Sequence, residues 1–115
     1  MKAGPLEEQP ASDALLVWTT LDDSERAASL AHGLVEQRLA ACVHVMPGGQ
    51  SVYRWQESIE TAQEHTLLIK TTAAGYAALE AWLLAHHPYQ IPEIAALPIT
   101  HGLPDYLNWI RECTR

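Results

Sequence analysis

The sequence is poor in cysteine, in positive charge and in long apolar runs, and each shortage removes a class of protein. Two cysteines, Cys42 and Cys113, lie far apart and form no CxxC or other close ligand pair. They read as free thiols rather than as a disulfide scaffold. Seven Lys and Arg stand against 14 Asp and Glu, a formal charge of −7, and such a field repels phosphate backbones and anionic headgroups. Nucleic acid is not an expected partner. No apolar run approaches the roughly 20 residues of a membrane helix, and the opening MKAGPLEEQPAS lacks the apolar core of a secretion signal. These features predict a cytoplasmic protein with no membrane partner. Also missing are GxGxxG, Walker-loop, GxSxG, HExxH and EF-hand patterns, so neither an organic cofactor nor an enzyme is expected.

What is present suits one folded domain. Hydrophobic residues make up 48% and charged residues 18% of 115, enough to bury a core without staples. Residues 1–12 carry two prolines and no periodicity, which predicts a flexible N-terminal tail ahead of a domain at 13–115. ALLVWTTL at 14–21 is an apolar, β-branched run of the kind buried on both faces of a sheet. Asp22 and Glu25 have the spacing of a reciprocal helix cap, and Ala27, Leu30, Ala31, Leu34, Val35 and Leu39 then recur at helical spacing.

Strand character returns with ACVHVM at 41–46, is interrupted by Pro47, Gly48 and Gly49, and resumes with SVYRWQ, a pattern that predicts one strand continuing through a bulge or kink. ETAQEHTLLIKTT at 60–72 pairs back after a turn near Glu57 and Ser58, making a hairpin too long for a small sheet to cover. Its outer part projects, exposing Val52, Tyr53, Trp55 and Ile59, and such a ribbon calls for cover by further copies of the chain. A second helix from Tyr76 ends at His87 before Pro88, EIAALPI at 93–99 reads as a strand with Pro98 at an edge, and PDYLNWIREC at 104–113 as a closing helix. The order predicts an α+β, ferredoxin-like βαββαβ sandwich with a long projecting hairpin and a C-terminal helix.

HHPYQIPEI at 86–94 concentrates titratable and rigidifying residues. His86 and His87 fall in the last turn of a helix, where imidazolium is favoured, and adjacent helical residues diverge by about 100°, so they do not chelate one ion together from a regular helix. Metal ligation and helix capping both remain open. On the third strand, Glu64 and Lys70 share a face by alternation and His65 takes the other. They share a cleft, form an ion pair or lie on an exposed edge. Cys42 and His44 also share a face, more readily as a buried thiol beside a histidine than as a soft-metal site. His101 and Gly102 follow the last strand, as a turn or as a ligand loop.

LAACVHVMPGGQSVYRW at 39–55, LLIKTT at 67–72, HHPYQIPEI at 86–94 and PITHGLPDYLNWI at 98–110 together closely resemble the CutA divalent-cation tolerance proteins, from about Ala14 to the C-terminus. The resemblance implies a ferredoxin-like subunit in a homotrimer of PII-like architecture, with the hairpin wrapping its neighbours, and a link to copper and other divalent ions. It carries metal ligation onto His86 and Glu64. It also suggests that Trp55, Lys70, Tyr89 and Glu93 line an intersubunit cleft for a small anionic or metal-linked ligand. The third copper ligand of some members, a cysteine, corresponds to Trp18 here. Indole offers no lone pair to a metal, so copper or zinc held by His86 and Glu64 is expected to bind weakly. The alternative implied is a trimeric PII-like signalling or anchoring module that binds a small organic ligand at subunit interfaces.

Overall fold

ALLVWTTL forms strand β1, Ala14–Leu21. The computed structural model describes residues 12–115, and the expected tail, apart from Ser12, lies outside them. After β1 come helix α1 (Ser24–Glu36), strands β2 (Cys42–Trp55) and β3 (Ser58–Thr72), a 3₁₀ turn at Ala73–Gly75, helix α2 (Tyr76–His86), strand β4 (Ala95–Pro98) and helix α3 (Pro104–Cys113). The four strands pair antiparallel in the order β2-β3-β1-β4, which is the expected α+β ferredoxin-like arrangement.

α1 and α2 lie on one face of the sheet. Leu30 and Leu34 of α1 and Leu79 and Leu83 of α2 pack against Val17, Leu21, Leu67 and Ile69 in one buried cluster. A smaller cluster of Ala14, Ala41, Leu107 and Ile110 seats α3. The expectation that β1 is buried on both faces is not met within one chain: Val17, Thr19 and Leu21 are fully buried, whereas Leu16, Trp18 and Thr20 are half-buried. Both helices that follow β-strands pack on the same side, so alternation along an antiparallel strand leaves the even positions facing out.

Local boundaries differ from expectation for identifiable reasons. The cap of α1 is Asp23, not Asp22: its Oδ1 accepts from the Arg26 N–H at 3.0 Å, satisfying an amide that has no intrahelical partner. Val35, expected on the buried stripe, is 43% exposed because it sits about 100° around the helix from Leu34. α2 ends at His86, and His87 is already extended with ψ 140°, since Pro88 disfavours the helical conformation in the residue before it. The hairpin turn is Gln56–Glu57, one residue earlier than expected, with Gln56 at φ 56°. β4 shortens to four residues, with Pro98 at its end.

The interruption at Pro47 is a bulge, as anticipated. Met46 pairs with Thr66 and Gly49 with Glu64, so β2 spends three steps where β3 spends two, and Gly48 takes a positive φ of 85° that a side chain resists. Beyond it the two strands pair only with each other, because β1 ends opposite His65. This outer ribbon stretches the molecule to 59 × 29 × 23 Å and exposes Val52 at 65% and Ile59 at 61%.

Asp23→Ala is expected to lower stability by about 1 kcal/mol and Asp22→Ala by less than about 0.5 kcal/mol in urea denaturation, a contrast that checks the cap assignment. Leu83→Ala, which opens a cavity in the main cluster, is expected to cost about 2–5 kcal/mol in the same measurement.

Candidate functional site

The bulge decides which ribbon residues meet the sheet's open face. Before it, Cys42 lies opposite Lys70; after it, Gly49 lies opposite Glu64, Ser51 opposite Ala62 and Tyr53 opposite Glu60. Directly paired residues share a face, so the outward set on β2 changes from even to odd numbers. Ser51, Tyr53 and Trp55 thereby join Glu60, Ala62 and Glu64 on the side away from α1 and α2. They form one wall of a groove of about 570 Å³ whose other wall is Tyr89, Gln90, Ile91 and Glu93.

HHPYQIPEI supplies that second wall and is tied down by it. The Nε2–H of His87 donates to the Thr20 carbonyl at 3.1 Å, and its Nδ1 accepts from the Tyr89 N–H at 3.1 Å. Both ring nitrogens are engaged, which defines a neutral tautomer, and burial holds the imidazole below its ordinary value of 6.5. The Tyr89 hydroxyl donates to Glu64 Oε2 at 2.6 Å. Burial and the Glu64 carboxylate push the Tyr89 phenol well up, so it stays a donor. Further along the loop, the Trp18 indole N–H donates to Glu93 Oε2.

Glu64 is only 6% exposed. Burial raises a carboxyl, yet here it lies below its ordinary value of 4.5, because the hydroxyls of Ser51, Tyr89 and Thr20 and the nearby His87 together outweigh that desolvation. An ionised carboxylate is therefore built into the groove floor. The lining carries Asp22, Glu60, Glu64 and Glu93 against one guanidinium, Arg54, an electrostatic balance that counts against a free anion in a single chain.

The sequence-derived residues are thus partly gathered. Glu64, Trp55, Tyr89 and Glu93 line the same groove. Lys70 does not: its Nζ sits 3.8 Å from Cys42 Sγ, on the same face but further down β3. His86 lines a different depression, with Arg26, His32, Gly33, Glu36 and Trp82 between α1 and α2. There its Nδ1–H donates to the Trp82 carbonyl at 2.7 Å and its ring stacks on the Trp82 indole at 4.1 Å, leaving Nε2 free on an exposed side chain. Within one chain Glu64 and His86 do not meet, and among the described residues no three His, Cys, Asp or Glu side chains converge to hold a metal ion. Sequence reasoning missed Tyr53, Glu60 and Asp22 as groove residues, and of its two readings of His87 the structural one holds. The register change at Pro47–Gly48 was the signal that could have found Tyr53, and alternation from Glu64 along β3 the signal for Glu60.

Because His87 and Glu64 both titrate below their ordinary values, the unfolded chain binds more protons than the folded one, and stability rises with pH. Their contribution is complete above about pH 6.5, the ordinary histidine value. It is expected to decline first as His87 protonates on acidification and again below about pH 4.5 as Glu64 does. His87→Gln is expected to flatten the first decline, read as Tm against pH.

The matches to known proteins agree with the fold. The CutA1 divalent ion tolerance protein family matches residues 15–113. The divalent-cation tolerance protein CutA of Thermus thermophilus is 48% identical over 99 residues, covering 86% of this chain and 96% of its own, and that of Citrobacter koseri is 40% identical over 103 residues, covering 90% of each. The crystal structure of CutA from Xylella fastidiosa superposes with TM-score 0.88 at 46% identity, over 90% of this chain and all of that one. CutA1 from Oryza sativa does so with TM-score 0.88 at 37% identity, over 91% and 96%. With a family match spanning nearly the whole described domain and the same fold, the chain belongs to the CutA1 divalent ion tolerance family.

Proposed function

We propose that this protein acts in divalent-cation tolerance as a homotrimeric, cytoplasmic binding protein without catalytic turnover, and that it takes up copper or zinc weakly. The observation that carries the metal reading is the state of His86. Its Nδ1–H is held on the Trp82 carbonyl, so the neutral ring keeps its Nε2 lone pair for an ion. Glu64 supplies an ionised carboxylate, but it lies in another depression, so a site that uses both is completed across subunits. With indole at position 18 in place of a thiolate, the donor set is imidazole and carboxylate, which suits Cu(II) or Zn(II) better than Cu(I).

Trimer formation is supported by the apolar surface one chain leaves uncovered: the ribbon's Val52, Tyr53, Trp55 and Ile59 are each at least 39% exposed, and the sheet's open face carries half-buried Leu16 and Trp18. Free Cys42 and Cys113 suit a reducing compartment. A second reading, a PII-like signalling or anchoring module with a small organic ligand, is favoured by the aromatic-walled groove of about 570 Å³, which is roomier than a bare ion needs.

In light scattering, dilute untagged protein is expected to run near three times the 12.7 kDa chain mass; a mass of one chain would remove the intersubunit site. Calorimetric titration with Cu(II) is expected to show binding weakened about tenfold, or about 1.4 kcal/mol, in both His86→Ala and Glu64→Gln. Equal isotherms for wild type and His86→Ala would take His86 out of the site.

A further inference from the structure

Gly33 sits in the body of α1, where glycine is less favourable than any residue but proline. What it provides there is room. A Cβ at position 33 would stand 2.6 Å from Cη2 and 2.7 Å from Cζ2 of Trp82, well inside carbon–carbon contact distance, so any larger residue has to push the rigid indole away from α1. With no side chain at 33, Trp82 reaches across from α2 and rests its ring edge against that helix. Gly33, Trp82 and His86 lie together between α1 and α2, apart from the exposed ribbon.

The indole so placed carries His86. The two rings are 4.1 Å apart and within 20° of parallel, and the backbone of the same Trp82 supplies the carbonyl that accepts from His86 Nδ1–H at 2.7 Å. Core packing does not require this arrangement. His86 is exposed, and an exposed side chain at a helix end ordinarily samples several rotamers. An unconstrained neutral imidazole also favours the proton on Nε2, whereas the carbonyl here fixes it on Nδ1 and leaves the lone pair on Nε2. That is a form in which histidine binds Cu(II) or Zn(II). The depression holds one guanidinium, Arg26, and one carboxylate, Glu36, so no net field draws a cation in, and the direction of that lone pair is what the fold can set.

We infer that Gly33 and Trp82 are positioning residues for metal binding: Gly33 lets the indole seat against α1, and the indole holds the His86 ring in the rotamer and tautomer that present Nε2 to a divalent cation. The inference rests on the reading of His86 as a metal ligand and adds the residues that orient it. Neither touches the ion. A donor already held in place loses less rotamer freedom on binding, and outer groups that fix the tautomer of a ligating histidine raise metal affinity in this way.

The test joins a metal-free spectrum to a titration, both on the full-length protein. Long-range proton–nitrogen correlation spectra of the histidine rings are recorded at about pH 8, above the ordinary imidazole range. They are expected to show His86 as the Nδ1–H tautomer in wild type and Trp82→Phe, and shifted toward Nε2–H in Trp82→Ala and Gly33→Ala. Calorimetric titration with Cu(II) is expected to find Trp82→Phe near wild type, and Trp82→Ala and Gly33→Ala severalfold weaker, short of the about tenfold loss in His86→Ala. Gly33→Ala combined with Trp82→Phe, whose smaller ring clears the new methyl group, is expected to regain both the tautomer and the affinity. A glycine that serves folding alone would lower Tm in Gly33→Ala and leave the tautomer and isotherm unmoved, a result that overturns the inference. A shifted tautomer with an unchanged Cu(II) isotherm, while His86→Ala still weakens binding, overturns it too and leaves the metal reading standing. Equal isotherms for wild type and His86→Ala remove the metal reading and this inference with it.

Discussion

The bulge between Met46 and Gly49 is the constraint on which the site depends. An unbroken β2 would carry even-numbered residues outward along its whole length, and Val52 and Arg54 would face Glu64 in place of Ser51, Tyr53 and Trp55. One extra residue, accommodated by the positive φ of Gly48, exchanges the two faces of the outer ribbon while leaving the inner sheet in register. The inner part of β2 then serves the core through Val43 and Val45, and the outer part serves the groove. A single hairpin is divided into a half that packs the core and a half that walls the groove by one backbone irregularity.

The second constraint is the loop that follows α2. Pro88 ends the helix, and the freed His87 uses both ring nitrogens to fasten the chain to β1 and to its own next turn. That leaves Tyr89 aimed at Glu64 and Glu93 aimed at Trp18. The two histidines of the pair are thereby separated in role. His87 is buried, neutral and spent on hydrogen bonds; His86 is exposed, stacked on Trp82 and retains a nitrogen. Their adjacency in sequence says nothing of this, because the helix end turns them to opposite sides.

With α1 and α2 on one face of the sheet, the second face is left largely open. Here that face holds Leu16, Trp18 and Leu68 at intermediate burial, continuing into the exposed aliphatic and aromatic ribbon. The molecule concentrates its chemistry on this face: the buried carboxylate, the Cys42–Lys70 pair and the groove all lie there. The groove opens on the same face as this uncovered apolar area, the area that the proposed trimer would cover.

The order of elements, the extent of β1 and α3, the bulge and the projecting ribbon were legible in the residues. Each rests on a local cause: β-branched runs, a proline at the first turn of a helix, a Pro-Gly-Gly break, an apolar ribbon longer than its sheet. Alternation likewise placed Glu64 and Lys70 on one face, since that period is a property of the extended chain itself. What the chain alone did not decide was which of those residues meet. Lys70 went to Cys42 and not to the groove, because six residues along β3 span about 20 Å. His86 and Glu64 parted because one lies at a helix end over α1 and the other on the opposite side of the sheet. Tyr53 joined the site only through the register that the bulge imposed, whereas Glu60 shares the face of Glu64 by alternation along β3. Distances between segments are set by packing and pairing, and these are decided only when the whole sheet closes.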